Sequence, residues 1–283
     1  DDFYVNTEDR MNYIFNSKMQ GLEESDLIIL IGTNPRYEST ILNSRIRKAY
    51  LNNKTQIYSI GEVGNLTYPY KVLDSNTKTI KEIIDNKHKI SEKIINAKKP
   101  TIIIGQSVLK TKSSVFIFEE LKKFLLKNNK INYNWNSLNI LSKNASTVGA
   151  YDLNIFSSNN GINTTLNKIK QHDFEVIFLF GQDELKFKKS KEFIIYIGSH
   201  GDRGSEIADI ILPGSAYTEQ DGYFTNLEGK MQKAFKASYP PGEAKEDWQI
   251  INELAEYMNN RKLFNDKDEL ESSMFNFITL QQE

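Results

Sequence analysis

The residues best suited to chemistry form one polar cluster at positions 198–204, which reads Gly-Ser-His-Gly-Asp-Arg-Gly. In this cluster, His200 and Asp202 could act as a base and the acid that orients it, or as two ligands of a metal ion. One histidine and one aspartate make an incomplete metal site, and the chain's other histidines have no partner at ligand spacing. We therefore favour a turn in which Asp202 bonds to the backbone and to Arg203, and we predict no catalytic residue and no metal site.

A second candidate lies at residues 32–36, Gly-Thr-Asn-Pro-Arg, directly after the apolar run Leu27–Ile31 and before a helix-period segment. Backbone N–H groups at the start of a helix bind anions, and open α/β sheets hold their ligands at this kind of turn. Gly32 and Asn34 are therefore candidate ligand-binding residues. The alternative is a plain strand-to-helix turn, which we favour because position in a fold does not establish function.

The remaining candidate groups lack a part that their chemistry needs. Residues 105–111 end in Lys-Thr like a phosphate loop, but Leu109 stands where that loop needs a glycine. No feature of the sequence would raise the pKa of one among Glu219, Asp221 and Glu228 above the others, so we predict that these acids are solvated or ion-paired. The chain has no cysteine, which excludes disulfides, thiolate catalysis and cysteine-ligated zinc or iron–sulfur clusters.

The candidate turns follow short apolar runs that are typical of parallel strands. These runs are hydrophobic at nearly every position, as in strands buried on both faces, and helix-period segments lie between most of them. The predicted fold class is therefore α/β, with doubly wound, mostly parallel sheets. The predicted strands are residues 27–31, 56–60, 101–104, 176–180, 193–197 and 209–212.

We expect two lobes, because Lys98-Lys99-Pro100 separates a helix-period segment from a new strand. The first lobe would comprise residues 1–98 and the second residues 99–283. The second lobe is expected to include a long structured traverse at 214–245, whose aromatic side chains need burial, and a C-terminal helix. The apolar neighbours of Asp209 are also expected to be buried.

Charge and hydropathy exclude two classes of partner. The chain has 36 Lys and Arg against 37 Asp and Glu, with a net charge of −1, so it lacks the basic surface that nucleic-acid binding needs. Its apolar runs are far shorter than the roughly 18 residues of a membrane span. We predict no nucleic-acid partner and no direct membrane span.

The order of several motifs along the chain is more specific than any one of them. They are residues 21–26 (GLEESD), 32–38 (GTNPRYE), 43–48 (NSRIRK), 201–202 (GD), 208–219 (ADIILPGSAYTE), 225–229 (TNLEG) and 246–248 (EDW). This series resembles the C-terminal part of the large iron–sulfur subunit of respiratory complex I, the proton-pumping NADH:ubiquinone oxidoreductase. That part is a degenerate relative of the molybdopterin oxidoreductases. The sequence departs from the family pattern at Lys230, where members usually have arginine with its planar donor fork, and it contains no cysteine-rich cluster region.

The resemblance implies a degenerate molybdopterin oxidoreductase-like fold and a structural role. The chain would be a subunit, or a fragment of a split subunit, of the peripheral arm of complex I. There it would support the iron–sulfur electron path from NADH to ubiquinone without carrying a cofactor. The turns with Gly32, Asn34, His200, Asp202 and Arg203 would be vestiges of contacts to a pterin nucleotide.

The resemblance also implies partners and a location. The partners would be other complex I subunits, above all a cysteine-rich chain that carries the iron–sulfur clusters. The location would be the matrix side of the mitochondrial inner membrane or, alternatively, the cytoplasmic face of a bacterial inner membrane. In a split subunit, the strand Leu27–Ile31 would lie at a sheet edge that the partner chain completes.

Two other functions remain open from the sequence. One is a fragment of an active molybdopterin-dependent oxidoreductase whose metal is ligated by serine or aspartate. The other is a free-standing nucleotide-binding protein that uses the turns at Gly32 and Gly198. Analysis for molybdenum and pterin separates the first from the structural role, and a nucleotide-dependent thermal shift tests the second.

Overall fold

The computed structural model describes residues 6–155 and 161–282. It divides into two compact units. The first comprises the chain up to Gly161 together with Thr225–Met231, and the second comprises Ile162–Phe224 and Gln232–Gln281.

The first unit alternates strands and helices along the chain. Its elements are α1 (Lys18–Gly21), β1 (Leu27–Ile31), α2 (Pro35–Glu38), α3 (Thr40–Asn53), β2 (Gln56–Ile60), β3 (Lys71–Asp74), α4 (Lys78–Ile84), α5 (Lys89–Asn96), β4 (Pro100–Gly105), α6 (Gln106–Leu109), α7 (Ser114–Lys127), β5 (Leu138–Leu141) and α8 (Thr147–Asp152).

The five strands of the first unit form one parallel sheet in the order β3-β2-β1-β4-β5. Every residue of β1 is buried, because each face of the strand packs against its own layer of helices. Ile29 lies in a core with residues of α4, α5 and α7, whereas Ile28 and Leu30 lie in a second core with Leu42 and Ile46 of α3. The predicted doubly wound α/β fold is therefore confirmed for this unit.

Strand pairing in this sheet corrects two expectations. Ile29 pairs with Tyr58 on one side and with Ile102 on the other, so β1 is the central strand and not an edge. Because β4 pairs with β1, no division of the fold lies at residue 98. The two units meet in the sequence near Gly161 instead.

At both edges of the first sheet, features of the chain itself hinder strand pairing with another protein. Along β5, Ile140 N–H donates to Ile14 O at 3.2 Å, and Phe15 forms an antiparallel bridge with Asn139. The opposite edge is the short strand β3, which begins at the exposed Lys71. Short, charged or covered edges of this kind prevent pairing with other chains.

The second unit contains a smaller sheet, most of a hairpin and two longer helices; the hairpin residues Thr225 and Met231 belong to the first unit. Its elements are α9 (Gly161–Lys170), β6 (Val176–Phe180), β7 (Phe193–Gly198), α10 (Arg203–Glu206), β8 (Ile210–Pro213), β9 (Gly222–Thr225), β10 (Met231–Ala234), α11 (Asp247–Asn259) and α12 (Lys267–Gln282). Strands β6, β7 and β8 form a parallel sheet in that order, and β9 pairs with β10. Helix α11 begins with a capping box between Glu246 and Gln249.

The inner face of the second sheet is packed, whereas most side chains on its outer face are not buried. The inner face carries Ile177, Leu179, Ile194 and Tyr196, which form a core with Ile169 of α9; Leu185 and Phe187 from the β6–β7 connection pack against it. The outer face carries Val176, Phe178 and Phe180, whose strand partners are Phe193, Ile195 and Ile197. Of these six, only Ile197 is fully buried.

The traverse at 214–245 is less buried than the sequence indicates. Its middle forms the β9–β10 hairpin, and Lys245 N–H donates to Pro213 O at 3.1 Å, which returns the chain to the end of β8. Tyr217, Phe224 and Phe235 are 79%, 44% and 76% exposed, so the expectation that the aromatic residues are buried fails for these three. Among the described residues, no helix has the length and hydropathy to cross a membrane.

Candidate functional site

The turn at Gly32 is closed by a carboxylate of the chain itself. Thr33 Oγ1 donates to Glu38 Oε2 at 2.7 Å, and Asn34 N–H donates to Glu38 Oε1 at 3.1 Å. Both donors lie where a bound anion would accept hydrogen bonds at the end of a strand. Glu38 therefore occupies the anion position of this turn.

Both polar atoms of the Asn34 side chain form hydrogen bonds within the first unit. Its Oδ1 accepts from Arg36 N–H at 3.1 Å and so caps α2, in which Pro35 takes the first position. Its Nδ2 donates to Val63 O at 2.7 Å, and Arg36 Nη1 donates to Asn65 O at 2.9 Å. These contacts make residues 32–36 a strand-to-helix turn that is tied to the loop after β2.

The crevice between the ends of β1 and β4 is filled by the two turns that border it. In a sheet of order β3-β2-β1-β4-β5, this is the switch point at which doubly wound proteins bind ligands. A Cβ on Gly32, whose φ is +56°, would lie 2.4 Å from Val108 Cγ2, and one on Gly105 would lie 2.4 Å from Thr33 Cβ. Ser107 Oγ donates to Gly32 O. These two glycines are thus required by the close approach of the turns to each other.

In the second unit, the cluster at 198–204 is built around Tyr196. A Cβ on Gly198 or Gly204 would lie 2.6 Å from atoms of the Tyr196 side chain. The Tyr196 hydroxyl lies 3.0 Å from Asp183 Oδ2 and 3.1 Å from His200 O. Burial of the phenol, together with the Asp183 carboxylate, raises the pKa of Tyr196 to about 12. The glycines of this cluster therefore make room for a tyrosine that stays protonated at neutral pH.

The polar residues of the cluster have local partners and are not arranged as a reactive pair. His200 Nδ1 lies 2.9 Å from Ser199 Oγ, and both residues are exposed. Asp202 Oδ1 accepts from Arg203 N–H at 2.8 Å and caps the short helix α10, while Asp183 Oδ1 accepts from Gly204 N–H at 2.8 Å. Across the described residues, no group of three or more His, Asp or Glu side chains could hold a metal ion.

The three acids that the sequence singled out each accept a hydrogen bond from the backbone. Glu219 accepts from Ala216 N–H at 2.9 Å, Asp221 from Lys236 N–H at 2.7 Å and Glu228 from Met19 N–H at 2.6 Å. The bond from Lys236, aided by nearby lysines, lowers the pKa of Asp221. The three carboxylates therefore act as hydrogen-bond acceptors for the backbone, and they do not converge on one another.

The sequence did not predict the ionic cluster that Arg10, Tyr13 and Asp152 form in the first unit. The guanidinium of Arg10 donates to both carboxylate oxygens of Asp152 at 2.9 and 2.7 Å and to Gly229 O at 2.7 Å. The Tyr13 hydroxyl donates to Asp152 Oδ1 at 2.9 Å, and burial with this bond raises the pKa of Tyr13. Only Gly229, in the motif at 225–229, gave a sequence signal for this site.

The residues Thr225–Met231, hereafter the tip segment, are held by the start of the chain. Phe15 N–H donates to Leu227 O at 2.7 Å, and Glu228 accepts from Met19 N–H. Gly229 has a φ of +78°, and a Cβ there would lie 2.9 Å from Arg10 Cζ. The motif at 225–229 therefore serves as a packing and hydrogen-bonding element of the first unit.

The family model and the relatives that match this chain agree with one another. The model of the molybdopterin oxidoreductase family matches residues 2–257. The NADH-ubiquinone oxidoreductase 75 kDa subunit of Reclinomonas americana is 46% identical over 92% of this chain and 38% of the relative. The mitochondrial 78 kDa subunit of Candida albicans is 41% identical over 91% of the chain and 35% of the relative. An NADH-quinone oxidoreductase subunit from Rickettsia bellii is 40% identical over 96% of the chain and 39% of the relative. The chain thus spans less than two fifths of the length of these relatives.

Proposed function

The chain belongs to the molybdopterin oxidoreductase family, and from that premise we propose that it is a non-catalytic structural part of the peripheral arm of respiratory complex I. The observation that carries the proposal is the identity of 40–46% to subunits named for NADH-ubiquinone or NADH-quinone oxidoreductase, over more than nine tenths of this chain. In that place it would support the electron path from NADH to ubiquinone.

The geometry of the two turns supports a role without a cofactor. The residues present do not fit a pterin nucleotide, because Glu38 accepts the hydrogen bonds of the Gly32 turn and Ser107 and Val108 fill the space beside it. At 198–204 the ring of Tyr196 takes the space beside the glycines. We therefore assign no chemical step to these turns.

The proposed partners and location follow from the same relatives. This sequence has no cysteine, so in the proposed complex the iron–sulfur clusters would be carried by cysteine-rich sequence outside residues 1–283. The relative from Candida albicans is named as mitochondrial, whereas the relative from Rickettsia bellii is named as a subunit of an NADH-quinone oxidoreductase. A place on the matrix side of the inner membrane, or on the cytoplasmic side in a bacterium, would suit a chain whose described helices include no membrane span.

The proposal is tested by purifying the complex through a tag on this chain. Membranes are solubilised in a mild detergent, and the eluate is resolved by native electrophoresis with an in-gel NADH dehydrogenase stain. We expect the chain to migrate with the stained band and with iron–sulfur subunits identified by mass spectrometry. A chain that migrates apart from the stained band would contradict the proposal.

Molybdenum and pterin analysis of the same eluate addresses the alternative of an active molybdopterin enzyme. We expect molybdenum below about one tenth of an equivalent and no fluorescent pterin after oxidation, because neither turn has room for the nucleotide. One equivalent of each in the fraction that holds this chain would favour the alternative.

A further inference from the structure

Helix α9 and the β6–β7 connection together cover the inner face of the second sheet. The helix contributes Ile169 to the core of this unit, and Leu185 and Phe187 of the connection pack against that core. The helix is followed by a turn at His172, and the connection ends at Glu192, directly before β7. Both covering elements thus end at the edge where β6 and β7 begin.

Glu192 joins the ends of these two elements through one oxygen atom. Its side chain has an exposure of 0%, and its Oε1 atom accepts from Ser190 N–H at 3.0 Å. The same Oε1 atom lies 3.2 Å from Nδ1 of His172. The other oxygen, Oε2, is buried and accepts no hydrogen bond from the described residues. Because its desolvation is costly, a buried carboxylate of this kind is stabilised by a nearby positive charge.

The backbone holds the imidazole of His172 at this carboxylate. His172 N–H donates to Ile169 O at 3.1 Å, and Asp173 N–H donates to Lys168 O at 3.0 Å, which is the Schellman arrangement at the end of a helix. His172 takes the left-handed position of this motif with a φ of +60°, where glycine or asparagine is usual. The carbonyl groups at a helix C-terminus also stabilise a cation. A positive charge on the imidazole would therefore meet both a carboxylate and the end of α9.

We propose that His172 and Glu192 form a pH-sensitive clasp, which holds α9 and the β6–β7 connection on the inner face of the second sheet more tightly when His172 is protonated. A neutral imidazole with its proton on Nδ1 donates one hydrogen bond to Glu192, whereas an imidazolium adds an ion pair with a buried carboxylate. The added stability is fully present below the unfolded-state pKa of an imidazole, about 6.5, and is lost as pH rises through the folded-state value. The inference goes beyond the proposed function and does not depend on it, because the clasp lies within the second unit.

Glu192 remains charged over the pH range in which the clasp acts. Burial alone would raise the pKa of Glu192, but hydrogen bonds from its own N–H, from Ser190 N–H and from His172 lower it below the usual value for glutamate. Protonation near neutral pH therefore takes place on the imidazole and not on the carboxylate.

The other charged groups around the clasp are exposed or already paired. Lys189 of the connection pairs with Asp209, directly before β8. The exposed charged residues of the segments that meet at this edge are Lys168, Lys170, Asp173, Glu175, Lys188 and Lys191. Solvent and salt screen such exposed charges. Among the described residues, His172 is the only ionisable side chain with a hydrogen bond or ion pair to Glu192.

Hydrogen exchange of the full chain, read by mass spectrometry at about pH 5.5 and about pH 8, tests the clasp. Peptides covering residues 168–174 and 186–193 contain the amides of His172, Asp173 and Ser190, and the rates are corrected for the intrinsic pH dependence of exchange. We expect the protection of both peptides to be about tenfold higher at the lower pH, because hydrogen bonds between charged groups are stronger than those with one neutral partner.

Two substitutions at the clasp should remove this response. His172→Asn suits the left-handed backbone position but does not titrate, and Glu192→Gln keeps the shape of the side chain without its charge. In each variant the ratio of protection at the two pH values should be less than about twofold. Circular dichroism at both pH values checks that the variants remain folded, and if Glu192→Gln does not fold, His172→Asn decides alone.

The other two histidines of the chain provide controls. His200→Asn replaces an exposed imidazole of the same unit and should leave the response of about tenfold unchanged. In the first unit, His88 Nδ1 accepts from Ile90 N–H at 3.1 Å at the start of α5. Protonation removes this acceptor, so a peptide covering residues 88–94 should be less protected, not more, at the lower pH.

Four results would overturn the proposal. The first is protection of the two clasp peptides that is equal or lower at the lower pH. The second is a response that persists in His172→Asn or in a folded Glu192→Gln. The third is a response that His200→Asn abolishes. The fourth is an equal gain in the peptide at His88, which would assign the response to the protein as a whole.

Discussion

At the residue scale, side chains of the protein occupy the places where the fold class usually holds ligands. The Glu38 carboxylate accepts from Thr33 Oγ1 and Asn34 N–H, and the Tyr196 ring packs against Gly198 and Gly204. In both places the glycines are explained by contacts within the chain. A sequence pattern that is typical of ligand turns can therefore persist for packing reasons alone.

Replacing Glu38 tests the first of these contacts. Glu38→Ala should lower the free energy of unfolding by about 1–2 kcal/mol, because two part-buried donors lose their acceptor. Glu38→Gln keeps an acceptor and should cost less. The control is Glu62→Ala, at an exposed position of the loop after β2, with an expected change below about 0.5 kcal/mol. Urea unfolding measures all three, and equal costs for Glu38→Ala and Glu62→Ala would contradict the assignment.

Replacing Asp152 tests the ionic cluster. The Asp152 side chain is 1% exposed and that of Arg10 is 30% exposed, so removal of the negative charge leaves a partly buried guanidinium without a charged partner. Asp152→Asn should lower the free energy of unfolding by about 3 kcal/mol. Glu120→Gln, which removes the exposed pair with Lys123, should cost about 0.5 kcal/mol or less.

A double-mutant cycle separates the Arg10–Asp152 pair from other effects. If the two side chains interact as described, Arg10→Met combined with Asp152→Asn should cost less than the sum of the single changes by at least about 1 kcal/mol. Additive costs would show that the pair does not contribute as a unit.

At the element scale, the strands were largely predictable and their arrangement was not. The runs at 27–31, 56–60 and 176–180 coincide with β1, β2 and β6, because continuous hydrophobicity is a local property of the sequence. Strands β3, β5, β9 and β10 were missed. Strand β3 is mostly exposed and polar at its ends, and β5 contains the buried Asn139, which interrupts the apolar run. Strands β9 and β10 are short and partly exposed. The pairing of Ile29 with Ile102 depends on non-local packing that no local pattern reveals.

The tip segment supports a prediction about Gly229. Gly229→Ala places a methyl group 2.9 Å from Arg10 Cζ in a backbone with φ of +78°. Gly64→Ala is the matched control, because Gly64 has φ of +69° but nothing within 4 Å of the added Cβ. Gly64→Ala should cost about 1–2 kcal/mol from backbone strain alone, and Gly229→Ala should cost at least about 1 kcal/mol more. Equal losses in chemical denaturation would mean that the contact with Arg10 is unimportant.

Asp209, directly before β8, supports a prediction about the pH dependence of stability. The expectation that its apolar neighbours are buried is wrong. The neighbours Ile210 and Ile211 are 43% and 54% exposed, so Asp209 does not lie among buried side chains as expected. Instead it pairs with Lys189 at 2.5 Å and accepts from Ile194 N–H at 2.8 Å. The Lys189 side chain, followed by the Ile194 N–H, lowers the pKa of Asp209.

A lowered carboxyl pKa stabilises the fold above the unfolded-state pKa, and this contribution is lost as pH falls through the folded-state pKa. Asp209→Asn should therefore reduce the melting temperature at pH 7 and have little effect once the wild-type carboxylate is protonated in acid. Thermal unfolding of both proteins between pH 7 and pH 3 measures the difference. A difference that stays constant over this range would show that the charge of Asp209 is not responsible.

At the scale of the whole molecule, the domain boundary was the least predictable feature. Lys98-Lys99-Pro100 has the composition of a linker, yet Pro100 begins β4 and its strand partner is Leu27 of β1. The tip segment belongs to the first unit although it follows all three strands of the second unit's sheet in sequence. Composition reports local solvation, whereas the extent of a unit is set by contacts between distant residues.

The absence of cysteine and of a ligand cluster among the described residues supports a prediction about metals. Treatment of the purified chain with EDTA or phenanthroline should leave its melting temperature unchanged within about 2 °C, because no folding energy comes from metal binding. Elemental analysis should find less than about one tenth of an equivalent of zinc, iron or molybdenum. A lower melting temperature after chelation, restored by one added metal, would contradict this prediction.

The contacts between the tip segment and the first residues of the chain have a consequence for folding during synthesis on the ribosome. Arg10 and Gly229 are 219 residues apart in sequence, and closing a loop of that size costs about 5 kcal/mol of chain entropy. At about 5–20 residues per second, synthesis takes several seconds to advance from Gly161 to the tip segment. During that interval the nascent first unit has its complete sheet but not the segment that fastens its first residues. The backbone amides of Phe15 and Met19, which donate to the tip segment, should therefore gain protection from hydrogen exchange later than that of Ser17, which donates to Asn139 of β5.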